Sequence, residues 1–247
     1  MTPDGTLYNN VAPLRTVQGL ATLIEKLQGR HPDLPGMGCL SGWSGFGKTS
    51  ACIWAVNSYG CIHVEVESTW SAKYLCESIL KELGERPTGT VAHMVQRIKE
   101  LLAMRDVPLL IDEADHLMKK QTIEIIRAIY DGSLVPVILV GEEEMPSKLR
   151  AWERVHNRIG GWAQAQPADL EEFFCLAEIY APDITIENEL AEHILAGSRR
   201  SLRRISINLA DVREVALTKG IFSIGLNDWD DGRLFTGQAP SPRSLPK

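Results

Sequence analysis

The sequence predicts an α/β fold in which a parallel sheet carries helices on both faces and is followed by a small all-helical lid. Short apolar runs alternate with helix-like patterns over about the first 165 residues, which is typical of such a sheet. A glycine-rich loop follows the first of these runs, and Pro167 ends the alternation. With 247 residues, the chain has room for one sheet domain and a small second domain.

The individual elements follow from the spacing of apolar residues. Strands are predicted at Met37–Ser41, Cys61–Glu67, Val107–Ile111 and Val135–Val140, with a weaker fifth strand at Trp162–Gln166. Helices are predicted at about Arg15–Gln28, Lys48–Tyr59, Ala72–Leu83, Thr90–Ala103, Thr122–Asp131 and Ser147–Asn157. Helical spacing then continues to about Lys219. The predicted segments are therefore a sheet domain at 1–167, a helical lid at 168–228 and a flexible tail rich in Pro, Gly and Ser at 229–247.

Composition indicates where in the cell the chain works and which kinds of partner it can bind. No apolar run approaches the roughly 20 residues that span a bilayer, and the first ten residues have no signal-peptide pattern, so we expect a cytoplasmic protein with no membrane partner. Five cysteines without a CxxC pair indicate reduced thiols in the core. The net charge of −6 argues against a broadly basic surface, although it does not exclude a local basic patch.

The strongest motif is the loop Gly42-Trp43-Ser44-Gly45-Phe46-Gly47-Lys48-Thr49, which fits G-x-x-x-x-G-K-[ST] between a predicted strand and a predicted helix. Such a loop turns its backbone N–H groups towards phosphate oxygens at a helix N-terminus. We therefore expect ATP to bind here, with Lys48 on the β- and γ-phosphates and the Thr49 hydroxyl on Mg²⁺. The predicted nucleotide-binding residues are Gly42, Ser44, Gly45, Phe46, Gly47, Lys48, Thr49 and Ser50.

A second motif is the acidic pair Asp112-Glu113 at the end of an apolar strand. Ligands of open parallel sheets gather at the carboxyl ends of strands, so Asp112 is expected beside the phosphates, holding Mg²⁺ directly or through water. Glu113 is then placed to orient or deprotonate the attacking water. The alternative is a helix N-terminus with acidic residues, and Asp115 fits that description.

These two motifs and the predicted helical lid resemble AAA+ ATPases, and the stretch Val137–Gly141 with the Glu-rich turn after it resembles the transposition ATPases. That group includes phage Mu transposition protein B and the target-selecting ATPases of bacterial transposons. The resemblance implies an ATPase of a bacterial host cell that forms an ATP-dependent homo-oligomer, a helical filament or a ring, on duplex DNA without sequence preference and activates a transposase. Gly141 and Glu142 occupy the region where the family has an uncharged polar residue, so we expect the Glu142 side chain to point away from the γ-phosphate and hydrolysis to be slow.

The resemblance also implies two sets of arginines. One arginine reaches the ATP of the neighbouring subunit, with Arg158 as first candidate and Arg154 as second; the alternative is a surface ion pair with Glu153 or Glu143. A lid arginine touches the nucleotide of its own subunit, and Arg200 and Arg203 fit as neighbours one helical turn apart. The alternative for the arginine-rich segment 199–204 is a patch that binds DNA.

In the related oligomers DNA is gripped by residues that every subunit repeats, and here Thr69 and Lys73 at a predicted helix start are the candidates. The alternative is a capped helix with an exposed lysine. Two other functions stay open: a nucleotide-gated scaffold that engages protein rather than DNA, and an AAA+ loader in replication or repair.

Overall fold

A computed structural model describes residues 14–229 and 234–238, which form two compact units. The first runs from Leu14 to Gln166, and the described residues from Pro167 onward belong to the second. The sequence-predicted extents 1–167, 168–228 and 229–247 remain predictions, since residues 1–13, 230–233 and 239–247 lie outside the described part.

The first unit is built on a five-stranded parallel sheet with the strand order β2-β3-β4-β1-β5. Its strands are β1 (Met37–Ser41), β2 (Ile62–Glu65), β3 (Leu109–Asp112), β4 (Val137–Gly141) and β5 (Ile159–Gln164). In β1, β3 and β4 every residue is buried, as expected for central strands covered on both faces. The predicted α/β sheet is confirmed.

The fifth strand begins at Ile159, three residues before the predicted start, and ends at Gln164 rather than Gln166. Two glycines hid the beginning of this strand, because glycine has low strand propensity. The structure leaves no room for a side chain at either one: a Cβ on Gly160 would clash with the Pro35 carbonyl oxygen, and a Cβ on Gly161 would lie 2.5 Å from the Leu23 side chain of the first helix. That helix packs closely against the strand where Gly161 leaves room.

The helices of this unit are α1 (Arg15–Gln28), α2 (Lys48–Tyr59), α3 (Ala72–Glu82), α4 (Val91–Arg105), α5 (Lys120–Ser133), α6 (Met145–Arg150) and α7 (Glu153–His156). The bounds of α1 and α2 match the predicted ones. The single helix predicted at Ser147–Asn157 is wrong, because the chain leaves helical geometry at Trp152 (φ −108°, ψ 68°). The Trp152 side chain packs against the buried core there, so tertiary packing overrides the local helical pattern.

The second unit contains α8 (Leu170–Tyr180), α9 (Asn188–Gly197) and α10 (Leu202–Lys219). It is not all-helical as predicted, since the two-residue strands β6 (Thr185–Ile186) and β7 (Ser223–Ile224) pair in parallel. A capping box between Asp169 and Glu172 starts α8. Two-residue strands leave no recognisable alternation in the sequence, which is why they were missed.

Part of the predicted flexible tail is bound to this unit. The Phe235 N–H donates to Asn208 Oδ1 at 2.7 Å, and Asn208 Nδ2 donates to the Phe235 carbonyl at 3.2 Å. Asn208 is fully buried on α10, so these bonds satisfy an amide that would otherwise carry a desolvation cost. Within the segment predicted as a flexible tail, Phe235 therefore has specific hydrogen bonds to α10. Among the described residues, none of the helices combines the length and the apolar character that a membrane crossing requires.

Candidate nucleotide-binding site

The glycine-rich loop joins β1 to α2 and adopts a backbone path that requires glycine at several positions. Gly45 and Gly47 have φ values of 84° and 80°, in the left-handed region that side chains disfavour. At Gly42 the constraint is space, because a Cβ would lie 2.6 Å from the Cβ of Ala165. The motif read from the sequence is thus a real loop at the carboxyl edge of the sheet, at the N-terminus of a helix.

Lys48 is folded back into this loop. Its Nζ donates to the carbonyl oxygens of Gly42 at 2.7 Å and Trp43 at 3.1 Å, and the residue is only 8% exposed. Burial lowers the pKa of Lys48, and the nearby carboxylates of Glu113 and Asp112 partly offset that effect. The hydrogen bonds described for the Lys48 ammonium group are thus to neutral carbonyl oxygens alone. An anionic ligand in the loop can replace these carbonyls as the acceptor, because it also offers opposite charge.

Asp112 ends β3 in a fully buried position. Its Oδ1 accepts a hydrogen bond from the Glu113 N–H at 2.9 Å, and its Oδ2 lies 3.7 Å from His63 Nε2 on β2. Burial by itself raises the pKa of Asp112, but His63, the Thr49 hydroxyl and the Glu113 N–H favour the ionised form and hold the pKa below its ordinary value. The motif residues Thr49 and Asp112 therefore lie side by side.

Glu113 follows in the left-handed conformation (φ 52°) and caps a short 3-10 turn at Ala114–Leu117. This conformation is uncommon for a residue with a side chain and occurs where the surrounding structure fixes it. Burial and the neighbouring Asp112 carboxylate raise the pKa of Glu113, partly offset by Lys48. Two adjacent carboxyl groups thus have pKa values shifted in opposite directions, the pattern expected when one stays ionised and the other exchanges a proton.

Asp115 is not simply an acid at a helix start, because it ties the ends of β3 and β4 together. Its Oδ2 accepts from the Glu142 N–H at 2.6 Å and its Oδ1 accepts from Lys148 Nζ at 2.7 Å. This bond with Asp115 raises the pKa of Lys148. The Glu142 side chain is exposed, with Oε2 3.9 Å from Lys148 Nζ. Sequence inspection missed Lys148, since only the fold brings residue 148 to residue 115.

Of the two arginines expected to act across a subunit boundary, Arg154 lies in α7 of the first unit and Arg158 lies just after it. Arg158 pairs with Asp131 on α5, with Nε 2.5 Å from Oδ1 and Nη2 3.1 Å from Oδ2, and its Nη1 donates to the Arg154 carbonyl at 2.8 Å. The ion pair predicted as the alternative is therefore real, but its acid is Asp131 rather than Glu153 or Glu143. Arg154 itself is exposed.

Thr69 and Lys73 lie on the surface that follows β2. Thr69 is exposed in the turn before α3, and Ser71 caps that helix by accepting from the Tyr74 N–H at 3.2 Å. Lys73 is exposed and lies 3.6 Å from Glu77 one turn along. Lys119 Nζ donates to the Ser68 carbonyl at 3.4 Å, so the fold brings a second cation to this turn. Its contribution could not be predicted from the sequence, because residues 68 and 119 are far apart in the chain.

In the second unit, Arg200 and Arg203 do not share a helix face, and that expectation is wrong. Arg199 and Arg200 are both left-handed, with φ values of 50° and 57°, and α10 begins only at Leu202. Arg200 Nη1 donates to the Ala168 carbonyl at 3.2 Å, whereas Arg203 is exposed in the first turn of α10. The two arginines therefore have different surroundings.

Comparison with known proteins agrees with this geometry. Residues 30–149 match the family model described as an AAA domain. No curated protein sequence matches the chain.

Solved structures with a similar fold include the Aeropyrum pernix Orc1 protein in complex with DNA, with a TM-score of 0.65 and 17% identity over 92% of this chain and 66% of that one. Drosophila ORC bound to DNA has a TM-score of 0.58 and 17% identity over 88% of this chain and 59% of that one. Cdc6p from Pyrobaculum aerophilum has a TM-score of 0.65 and 15% identity over 94% and 69%. The chain thus spans less than two thirds of the first two of these structures. Identities this low show the fold alone: the chain has the P-loop fold of AAA+ ATPases, and its residues 30–149 are similar to the AAA domain model.

Proposed function

We propose that the first unit binds ATP with Mg²⁺ and hydrolyses it. The observation that carries this proposal is that Lys48, Asp112 and Glu113 meet at one edge of the sheet, beside a loop whose glycines have the backbone geometry of a phosphate cradle. The backbone of Gly42–Ser50 would surround the phosphates, with Lys48 exchanging its two carbonyl partners for phosphate oxygens.

The residues present fit a magnesium ion. Thr49 offers a hydroxyl and Asp112 an ionised carboxylate, the hard oxygen ligands that Mg²⁺ prefers, and the two side chains are adjacent. When bound, Mg²⁺ neutralises charge on the phosphates. The residues of the chain then have separate tasks: Lys48 and the loop position the γ-phosphate, and Glu113 orients a water and accepts its proton. The raised pKa of Glu113 suits that task, because a base is most effective when its pKa approaches the working pH.

The direct test is equilibrium binding of a fluorescent ATP analogue with and without Mg²⁺, followed by phosphate release under the same conditions. We expect saturable binding and slow turnover that require Mg²⁺. Absence of nucleotide binding at millimolar concentrations would contradict the proposal.

We also propose that Arg158 completes the site of a neighbouring subunit in an ATP-bound homo-oligomer, a helical filament or a ring, with Arg154 as the second candidate. In the isolated subunit Arg158 is engaged by Asp131, so it must leave that carboxylate to act in trans. This exchange links assembly to turnover, because an arginine held by an acid cannot stabilise phosphate charge. For the nucleotide contact within one subunit, Arg200 and Arg203 remain the candidates.

We propose further that the ATP-bound oligomer binds duplex DNA without sequence preference, using Thr69 and Lys73. Support comes from the exposure of both residues, from Lys119 beside the same turn, and from similar folds solved with DNA, Orc1 and ORC. A chain with net charge −6 is a poor DNA ligand as a monomer, and repetition along an oligomer collects the cations that phosphate binding needs.

Retention of long duplex DNA with a non-hydrolysable ATP analogue tests this proposal. We expect cooperative, salt-sensitive binding that ADP does not support. If no duplex is retained even at low salt, the nucleotide-gated protein scaffold replaces it.

The finer role we propose is target selection and activation of a transposase in DNA transposition. It rests on the sequence resemblance, whereas the fold likeness to Orc1 and Cdc6p favours a second candidate, an AAA+ loader in replication or repair. Stimulation of strand transfer when the chain is added to a purified transposase would support the first role. ATP-dependent deposition of a helicase on DNA would support the second.

A further inference from the structure

Three side chains that can bind metal ions lie together beneath the phosphate loop: Cys52 on α2, His63 on β2 and Asp112 at the end of β3. The Cys52 sulfur, one ring nitrogen of His63 and one carboxylate oxygen of Asp112 all lie within 4.8 Å of one another. The strand register brings two of them together. His63 pairs with Leu110, so His63 and Asp112 occupy the same face of the sheet, and α2 packs against both strands.

Two atoms of this cluster lack a hydrogen-bond partner. Among the residues that the structure describes, His63 Nε2 and Asp112 Oδ2 are buried and unbonded. They lie 3.7 Å apart, beyond hydrogen-bonding distance. The other carboxylate oxygen, Oδ1, is already held by the Glu113 N–H, which leaves Oδ2 aimed at the imidazole. Buried polar atoms rarely stay unsatisfied, so this pair calls for a ligand between them.

We propose that Cys52, His63 and Asp112 form a binding site for a borderline-soft divalent cation of the zinc type. Thiolate, imidazole and carboxylate are the ligands that Zn²⁺ uses in proteins, whereas Mg²⁺ and Ca²⁺ take oxygen ligands. Tetrahedral bonds of about 2.0–2.3 Å place ligand atoms roughly 3.3–3.8 Å apart. The separation of 3.7 Å between His63 Nε2 and Asp112 Oδ2 lies at the upper end of this range, so these two side chains need to approach by only a few tenths of an ångström, and the upper bound of 4.8 Å asks for about 1 Å of movement of the Cys52 side chain.

His63 is the member of the cluster that borders solvent, since its side chain is partly exposed whereas Cys52 and Asp112 are buried. This residue lines a cleft of about 310 Å³ together with Ile53 and Asn57 of α2, and a second cleft of about 200 Å³ on the side of Trp70. Three protein ligands leave a fourth tetrahedral position for water. On binding, the Cys52 thiol loses its proton to solvent, as every thiol ligand of zinc does.

Asp112 belongs to both this cluster and the proposed magnesium site, and this second step rests on the proposed function. A cation held by Cys52 and His63 would engage the Oδ2 of Asp112 and compete with Mg²⁺–ATP for the same carboxylate. Zinc would therefore slow turnover, and nucleotide would weaken zinc binding.

The first experiment uses the full chain without nucleotide, so it does not depend on ATPase activity. Zn²⁺ is titrated against a chromophoric chelator, and Co²⁺ serves as a spectroscopic probe because a cobalt–thiolate bond gives a charge-transfer absorption. We expect one metal ion per chain with the thiolate band present. Cys52→Ser removes the band, and His63→Gln weakens zinc binding by more than about tenfold, at least the loss seen for outer-shell partners.

Two matched variants serve as controls: Cys76→Ser, at another buried cysteine, and His93→Gln, at an exposed histidine. Both should bind zinc as the unmodified chain does. If Cys52→Ser does not fold by circular dichroism, His63→Gln carries the test, since that side chain is partly exposed. Absence of zinc binding, or equal binding by the unmodified chain and His63→Gln, would overturn the proposal.

The competition is measured separately, as the zinc dependence of phosphate release at a fixed Mg²⁺ concentration, relative to the zinc-free rate of each variant. We expect inhibition of the unmodified chain and weaker inhibition of His63→Gln. Zinc binding in a chain that never binds ATP would support the metal site and refute the proposed ATPase. A failure of the metal site can therefore be distinguished from a failure of the proposed ATPase function.

Discussion

The charges at the carboxyl edge of the sheet and the arginines outside it are held by different means. Lys48 and Asp112 are buried and bonded to the backbone beside them, and Glu113 is half-buried in a left-handed conformation, with its N–H donating to Asp112. Arg158 is held by an exposed side chain, Asp131, and Arg200 by a turn carbonyl. The first group has its arrangement in the single chain, whereas Arg158 acquires its proposed role only when a second subunit arrives.

This difference explains why the glycine-rich loop and the acidic pair predicted side-chain positions well, whereas the arginine spacing did not. A glycine-rich loop between a strand and a helix specifies its own backbone, so residue spacing predicts geometry. The spacing of arginines places them on one face only if the segment is helical. Around Arg200 the chain forms a left-handed turn instead, so the spacing does not predict the positions of the side chains. Variants in the two groups should therefore differ in what they disrupt.

The largest effect is expected at Glu113. Glu113→Gln should keep ATP affinity but lower turnover by about 10²–10⁴-fold, because the amide cannot accept the proton of the attacking water. Single-turnover phosphate release together with nucleotide titration separates the two quantities. Glu142→Gln, a nearby exposed position, is the control and should turn over at the unmodified rate or faster. Equal loss in both variants would argue against Glu113 as the base.

Arg158→Ala tests the arginine that requires a partner. We expect normal ATP binding and a turnover loss of about 10²–10³-fold, the usual effect of removing one donor that stabilises developing charge. Mixing it with Glu113→Gln subunits should restore part of the activity, at junctions that combine an intact Glu113 with an intact Arg158. No recovery at any ratio, together with a loss in Arg154→Ala, would transfer the role to Arg154.

Lys48→Ala should lower ATP affinity by at least about 100-fold, since hydrogen bonds to charged groups contribute about 1.5–3 kcal/mol each, Lys48 would make two, and about 1.4 kcal/mol corresponds to a factor of ten. Lys26→Ala, an exposed lysine on α1, is the matched control. Titration with a fluorescent ATP analogue measures both. Equal affinity in Lys48→Ala and the unmodified chain would mean that the loop does not bind phosphate.

Lys73→Glu tests an exposed lysine that is proposed to bind DNA only when many subunits of an oligomer each contribute one copy. Duplex DNA binding should weaken alike for all sequences, and the slope of log affinity against log salt should fall by about 1 for each phosphate that the lysine no longer neutralises. ATP affinity of the single subunit should stay unchanged, because Lys73 pairs only with Glu77 among the residues described. Filter retention over a salt series measures the slope. Lys81→Glu, on the same helix, is the control, and an equal effect there would indicate a diffuse charge effect.

The smallest effects are expected in the second unit. Arg200→Ala removes the bond to the Ala168 carbonyl and should lower the free energy of unfolding by about 1 kcal/mol. The exposed Arg203→Ala should change it by less than about 0.5 kcal/mol. Urea denaturation monitored by circular dichroism measures both. If only one of these variants also loses ATP affinity, that residue is the lid arginine that contacts nucleotide. A larger loss of stability in Arg203→Ala than in Arg200→Ala would contradict the contact described for Arg200.

The sequence by itself determined the parallel sheet, the bounds of α1 and α2, and the phosphate loop with its acidic pair. Each of these depends on local spacing: apolar periodicity, glycines that permit a turn, and acids at a strand end. Only the tertiary structure decided that Asp115 bonds Lys148, that Arg158 bonds Asp131, and that Cys52 and His63 lie against Asp112. These residues are separated by between 27 and 60 positions in the chain, and no local rule relates them. They meet because parallel strands, joined by helices, bring distant segments into register.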